Sequence, residues 1–442
     1  MSGQVAIVGG GFSGTMLAVH LLRQGAPHVA LIDRRPEPAL GLAYGAAHPS
    51  HLLNVRAANM SAFPDAPADF ASWLAARGLE DAGAAFAPRT VYGAYLQHVL
   101  AAAQREHGER LELINDSAVD LDLRQDGATI SLESGASIDA DAAALATGNL
   151  PPLPPRGVDP GRLAPGRFFG DPWVSGVADG LGEDDLVLII GTGLTMVDMV
   201  LLLGERGYRG RIIAISRRGL LPHGHAAGAP AANPRTAPAA AAASLVRDVR
   251  ARAAAIGWRQ AVDELRPYTQ ALWRDAAPAE RGRFLRHLRP WWDVHRHRIA
   301  PQVHARLEAM IDSGQLMVAA GKLLGAEDRP AGVAVSWRPR GSDSPRTLVA
   351  TRIVNCTGPE GDLPRTRDPL LRRLLERGTI RPGNLGIGLD VAEDMRVIGA
   401  DGSPHHRMFA LGPPTRGALW EIVAVPDIRS QAADVARRLV EI

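Results

Sequence analysis

Two runs of glycine could hold a phosphate. The first, Gly9-Gly10-Gly11-Phe12-Ser13-Gly14, follows the apolar stretch Gln4 to Val8 and opens a helical pattern. Between a strand and a helix, such glycines let backbone N–H groups approach a pyrophosphate at the positive helix end. Gly9 permits the tight turn, Gly11 the backbone approach and Gly14 close packing of helix on strand. Phe12 and Ser13 supply amides to the same cradle. The second run, Gly191-Thr192-Gly193-Leu194-Thr195-Met196, follows Leu186 to Ile190 and has methionine where the third glycine would stand. That glycine serves packing, so Gly191, Gly193, Leu194 and Thr195 still form a cradle. One such run is weak evidence. Two in strand–helix context predict a chain that holds two dinucleotides and passes electrons between them.

The residues at the next strand end separate the two sites. Asp33, followed by Arg34, ends the strand after the first cradle, where a carboxylate accepts from ribose hydroxyls and disfavours a 2′-phosphate. The first site is therefore expected to hold FAD or NAD. The second unit has Ser216-Arg217-Arg218 there, a hydroxyl and two guanidinium groups suited to the extra phosphate of NADP. Near the C-terminus, Met395 to Ile398 and Arg407 to Gly412 read as a hairpin ending in glycine, with a helix from about Asp427. In two-dinucleotide flavoproteins a segment of this kind returns to the first domain and sets a helix N-terminus beside the flavin, so FAD is expected in the first domain and NADPH in the second.

The elements that must position these residues repeat. Each half runs cradle, second strand, helices, a β-meander and a strand ending in Thr-Gly, at Thr147-Gly148 and Thr357-Gly358. The fold class expected is α/β, with two Rossmann-type dinucleotide-binding domains, the second inserted into the first, and a helical cap. The FAD domain is expected over 1–172 and 360–442, with Gly148 and Gly412 near the cofactor. The NADPH domain is expected over 173–359, including the helical segment 245–310. The Ala/Pro-rich stretch Ala226 to Ser244 reads as a loop entering a helix. Leu245 to Arg298 interleaves arginines with Trp258, Trp273, Trp291 and Trp292. The helical spacing of its apolar residues favours a cap on the second domain over a nucleic-acid surface.

Bulk properties narrow the classes further. The 442 residues carry a net charge of +2 and 46% hydrophobic residues, which gives no reason to invoke nucleic acid. Lys322 is the sole lysine, so Schiff-base chemistry is confined to it, and Cys356 is the sole cysteine, so the chain has no disulfide and no redox pair. The longest apolar stretch, Leu186 to Leu203, is interrupted by Gly191, Gly193 and Asp198 and reads as strand plus helix, not a membrane span. The first strand begins at Gln4, leaving no room ahead of it for a signal peptide, and a cytoplasmic location is expected. His295 and His297, with His287, His223 and His225, invite a metal reading, but at i and i+2 on a helix the pair faces different ways. No metal is expected.

Further motifs carry a resemblance. Gly41-Leu42-Ala43-Tyr44-Gly45, His51-Leu52-Leu53-Asn54-Val55, Asn59 to Asp65, Gly191 to Asp198, Ser216 to Pro222 and Thr415 to Glu421 resemble the FAD/NAD(P)-binding family of FAD-dependent urate hydroxylases and aspartate N-monooxygenases. More distantly, Pro67 to Leu74 and Arg89 to Tyr95 resemble amino-acid N-hydroxylases. The resemblance implies an NADPH-dependent flavoprotein monooxygenase that hydroxylates a small polar molecule through a flavin C4a-hydroperoxide, with a urate-like purine or an amino acid as substrate and oxygen as co-substrate. The aspartate enzymes of the group are longer, which favours the urate-like side. The loop Tyr44 to Asp65 is expected against the isoalloxazine, with Asn54 and Met60 in contact. His51 is a candidate base, set against a surface or helix-capping role. Arg416 is a candidate for an anionic substrate, set against a structural ion pair. The rival readings are an FAD-dependent reductase serving a protein or quinone acceptor, and a non-catalytic redox-sensing flavoprotein.

Overall fold

The structure, a computed structural model, describes residues 3–226, 238 and 242–442, so most of the Ala/Pro-rich stretch Ala226 to Ser244 lies outside the described residues. Strand Gln4–Val8 lies at the centre of a six-stranded sheet, parallel to His28–Asp33 on one side and Ala142–Leu145 on the other. Its residues from Val5 to Val8 are all buried, as expected of a parallel strand covered on both faces. The chain's far end completes this sheet. Pro404–Ala410 pairs in parallel with Ala142–Leu145, Met408 opposite Ala143, and Arg396–Ile398 closes the edge in antiparallel. Helix Phe12–Arg23 is buried from Phe12 to Leu22 because it packs against helices Arg89–His107 and Val425–Val440 as well as the sheet.

The second sheet repeats the plan. Leu186–Ile190 is flanked in parallel by Arg211–Ser216 and Arg352–Asn355. The long strand Leu316–Arg329 begins parallel to Arg211–Ser216 and then turns into an antiparallel meander with Gly332–Pro339 and Arg346–Ala350. In the first half the corresponding meander, Ala118–Leu123, Ala128–Leu132 and Ser137–Ala140, is a separate three-stranded sheet.

Strand Phe168–Phe169 pairs with Arg352–Asn355, and Gly157 lies against Leu324, so residues ahead of 173 also pack on the second sheet. The two crossings between units run side by side, bridged at Leu150 and Glu360. The cap is not confined to the second unit. Trp273 stacks on Trp420 with ring centroids 4.9 Å apart and donates its indole N–H to the Gly417 carbonyl at 3.0 Å. Arg266 pairs with Asp427 at the start of the C-terminal helix. The cap therefore rests on the first unit's C-terminal arm, a partner too distant in sequence for local spacing to reveal. No helix among the described residues is long and apolar enough to cross a membrane.

Candidate functional site

The two cradles are built alike. Gly9 has φ +107°, and a Cβ there would stand 2.3 Å from the Ala146 carbonyl oxygen; Gly191 has φ +114°, and its Cβ would stand 2.1 Å from the Cys356 carbonyl oxygen. Each first glycine thus turns against the strand that ends in Thr-Gly, where no side chain fits. A Cβ on Gly14 would meet the Gly9 oxygen at 1.9 Å, whereas Met196 takes the equivalent place in the second unit and is fully buried. Both following helices begin without a side-chain cap or an acidic residue in the first turn. Their leading N–H groups are left for an anion. A Cβ on Gly193 would point into open space, and one on Gly11 would meet only the Gly41 backbone, at 3.4 Å. Bare helix ends fronted by glycine backbone fit a dinucleotide pyrophosphate at both places.

Asp33 ties its strand end to the first cradle: Oδ2 accepts from the Gly10 N–H at 2.6 Å and Oδ1 from the Arg35 N–H at 2.8 Å. Carboxylate lone pairs remain for ribose hydroxyls. Arg34 instead lies near Asp368, 3.9 Å away and largely exposed. In the second unit the Ser216 hydroxyl lies 2.8 Å from that of Thr192 and accepts from the Gly219 N–H at 3.0 Å, so it shapes the turn. Arg217 is exposed and Arg218 half-buried. Neither has an ion pair among the described residues.

Between the strand ends lies a cleft of about 440 Å³ bordered by Gly148, Arg217, Thr357, Pro414 and Arg416, with Arg289 and Asp293 contributed by the cap. Gly412, at φ +73°, brings the C-terminal arm onto the first cradle, where a Cβ would be 2.3 Å from Ser13 Oγ. The long helix begins at Val425 with Asp427 in its first turn, and the cleft is bordered by the short turn Pro413–Thr415 that precedes it. Gln431 of that helix holds the turn by accepting from the Gly412 N–H at 2.7 Å and donating to Thr415 Oγ1 at 3.0 Å.

Arg416 lies over Trp420 at 4.7 Å, and its buried Nε has no hydrogen-bond partner. No carboxylate among the described residues stands within ion-pair distance of it, so the structural ion pair considered from the sequence is not formed. Burial, followed by the nearby Arg289, lowers its pKa. Asp293 borders the same cleft, 3.4 Å from Arg289, with a buried Oδ1 that has no hydrogen-bond partner.

Three expected site residues lie outside the lining of this cleft. His51 is 1% exposed; Nδ1 accepts from the His48 N–H at 3.1 Å and Nε2–H donates to the Asp198 carbonyl at 3.0 Å. Burial and Arg89 lower its pKa to about 4. It therefore joins the first unit to the helix of the second cradle, and is neither a surface nor a capping group. Asn54 accepts through its carbonyl from His225 at 2.9 Å, across the same junction. Met60 belongs to the first core. None of the three borders the 440 Å³ cleft.

The structure adds residues to which the sequence gave no role. Arg89 and Asp198 form a largely buried ion pair at 2.8 Å between the units. Glu421, fully buried at φ +68°, accepts from Trp292 Nε1 at 2.9 Å and His297 Nε2 at 3.1 Å. Burial alone would raise its pKa, but His297, Arg296 and Trp292 outweigh that and bring it to about 2. All three acidic or basic groups fall inside the motifs that carry the resemblance, which was the available signal. His295 packs against His223 and Trp258, and so faces away from the partner of His297.

Residues 6–150 match the family model described as FAD-NAD(P)-binding. The nitrosuccinic acid synthase of Aspergillus oryzae is 33% identical over 122 residues, a match that spans 26% of this chain and only 18% of that protein. Among solved structures, L-lysine 6-monooxygenase from Pseudomonas syringae aligns at TM-score 0.69 and 18% identity over 99% of both chains. An ornithine N-hydroxylase from Kutzneria sp. 744, solved with reduced FAD, NADP+ and L-ornithine, aligns at 0.66 and 15% over 98% of both. Thioredoxin reductase from Lactococcus lactis aligns at 0.55 and 12% over 99% of both. The first unit thus matches an FAD-NAD(P)-binding family model over residues 6–150, and the whole chain shares the fold of these solved structures.

Proposed function

We propose that the chain is an NADPH-dependent flavoprotein monooxygenase that hydroxylates the nitrogen of a small amino acid. The observation that carries the reading is the cleft itself. It lies between the strand ends of the two units and has a guanidinium without an ion pair among the described residues, Arg416, and a carboxylate, Asp293, whose Oδ1 makes no hydrogen bond, although it stands 3.7 Å from His297 Nδ1 and Oδ2 stands 3.4 Å from Arg289. Such a pair suits a zwitterion, with Arg416 taking the carboxylate and Asp293 the ammonium. The amino-acid side of the resemblance is also the side to which the lysine and ornithine hydroxylases belong by name, and this supports an amino acid over a urate-like purine.

FAD would be held by the Gly9 to Gly14 cradle and Asp33, NADPH by the Gly191 to Thr195 cradle with Arg217 and Arg218. The chemistry supplied when FAD is bound is hydride acceptance from NADPH and activation of oxygen. The reaction balances as R–NH2 + O2 + NADPH + H+ giving R–NHOH + H2O + NADP+. The chain's own groups orient the amine, draw its proton toward Asp293 and restrict water through the cap. Of the rivals, the dithiol-reductase branch lacks a second cysteine in this chain, and Cys356 is buried in the second core.

Arg416→Ala tests the reading. Losing a charge-assisted contact costs about 1.5–3 kcal/mol, roughly ten- to a hundredfold in affinity. KM for an amino-acid substrate should rise by that factor, while KM for the matching amine without a carboxylate stays unchanged. Equal losses for both would remove Arg416 from substrate binding.

A further inference from the structure

The helical cap encloses a second cavity, separate from the cleft. It has a volume of about 540 Å³, and its walls include Val249, Val262, Leu272, Trp273, Trp291 and Trp420. Packed interiors leave few voids larger than a water molecule, which occupies about 30 Å³. A space this large and this apolar falls in the range of small-molecule sites, roughly 300–1,000 Å³. It is therefore more than a packing remainder.

Three features give the cavity a chemical preference. Its charged border has two arginines, Arg250 and Arg281, against Glu280; Arg281 donates to the Ala276 and Arg274 carbonyls, and Glu280 is already paired with Arg283 at 2.8 Å. Arg250 is exposed and has no ion pair among the described residues. Trp420, 3% exposed, has a buried indole N–H with no partner. The π-helical turn Phe284–Leu288 divides this space from the cleft: Phe284 and Leu288 border the cavity, while Leu285 borders the cleft. Such turns aim neighbouring side chains to different sides and are frequent at functional sites.

We propose that this cavity is a second ligand site, built for an apolar anion such as an aryl or alkyl carboxylate. The apolar body lies among the tryptophan and aliphatic walls, and the anionic head meets Arg250 and Arg281 at the border. The proposal does not rest on the monooxygenase reading.

Isothermal titration of the FAD-loaded full chain with naphthoate tests it. One equivalent should bind with a negative heat-capacity change, and neutral naphthamide should bind at least about tenfold more weakly. Val249→Trp, which fills the cavity, should weaken naphthoate at least about tenfold without loss of FAD content. Arg250→Glu on the exposed border should weaken it by a similar factor, and it decides the matter if Val249→Trp does not fold. Arg217→Ala, which removes a cleft guanidinium that borders no wall of the cavity, should leave naphthoate affinity unchanged. The proposal is overturned if no heat is seen, if naphthamide binds as well, or if Arg250→Glu has no effect. It is equally overturned if affinity falls in Arg217→Ala instead, because the anion would then occupy the cleft.

Discussion

Among the described residues Arg217 and Arg218 form no ion pair at the strand end of the second cradle, while Ser216 is engaged with Thr192 and Gly219. Coenzyme preference should therefore reside in the two guanidinium groups rather than in the hydroxyl. Each contact to a 2′-phosphate is worth about 1.5–3 kcal/mol. Arg217→Ala and Arg218→Ala should each raise KM for NADPH roughly ten- to a hundredfold and leave that for NADH almost unmoved. Similar losses for both coenzymes would give the arginines to the fold. Residue types alone made this legible, because an acid at one strand end and arginines at the other differ in what they can bind. The same reasoning did not reveal the partners of His51. A histidine in a polar loop looks available for catalysis, and nothing nearby in sequence announces that the Asp198 main-chain carbonyl, 147 positions away, accepts a hydrogen bond from it.

At the scale of elements, the strands and both cradles were readable because apolar runs bounded by glycine have few alternatives. Gln4–Val8, Leu186–Ile190 and Arg211–Ser216 lie where the sequence placed them. The seating of the cap was not readable, since the stack of Trp273 on Trp420 joins elements 147 residues apart in number, whose own spacing says only that each is amphipathic. The arm that carries Arg416 reads as a hairpin and helix, and the short turn that actually borders the cleft lies between them. The first cradle yields a direct test. Gly11→Val adds two methyl groups beside Gly41 where the pyrophosphate would approach. The folded variant should be purified with little FAD, judged by absorbance and circular dichroism, and full FAD content would contradict the cradle's role.

For the whole molecule, the junction between units depends on neutral histidines. His51 faces Arg89 and His48, and His225 faces Arg56, Arg298 and Asp263; burial is the main cause that holds both pKa values near 4. A histidine whose folded pKa is depressed stabilises the fold fully above its unfolded value of about 6.5, and that stability is lost as pH falls toward 4. The unfolding midpoint should therefore drop between pH 7 and 5, and the drop should shrink in His51→Gln and His225→Gln. An unchanged slope in both variants would locate the acid sensitivity elsewhere.

The central claim is that one cleft between two dinucleotide cradles oxidises a substrate nitrogen. The most direct measurement is product mass after turnover with NADPH, an amino-acid panel and oxygen-18 gas. The account predicts one labelled oxygen atom in a hydroxylamine product, formed in proportion to NADPH consumed. Steady NADPH oxidation with no labelled product, combined with rapid oxygen-independent electron transfer to a quinone or carrier protein, would contradict it and make the chain a reductase.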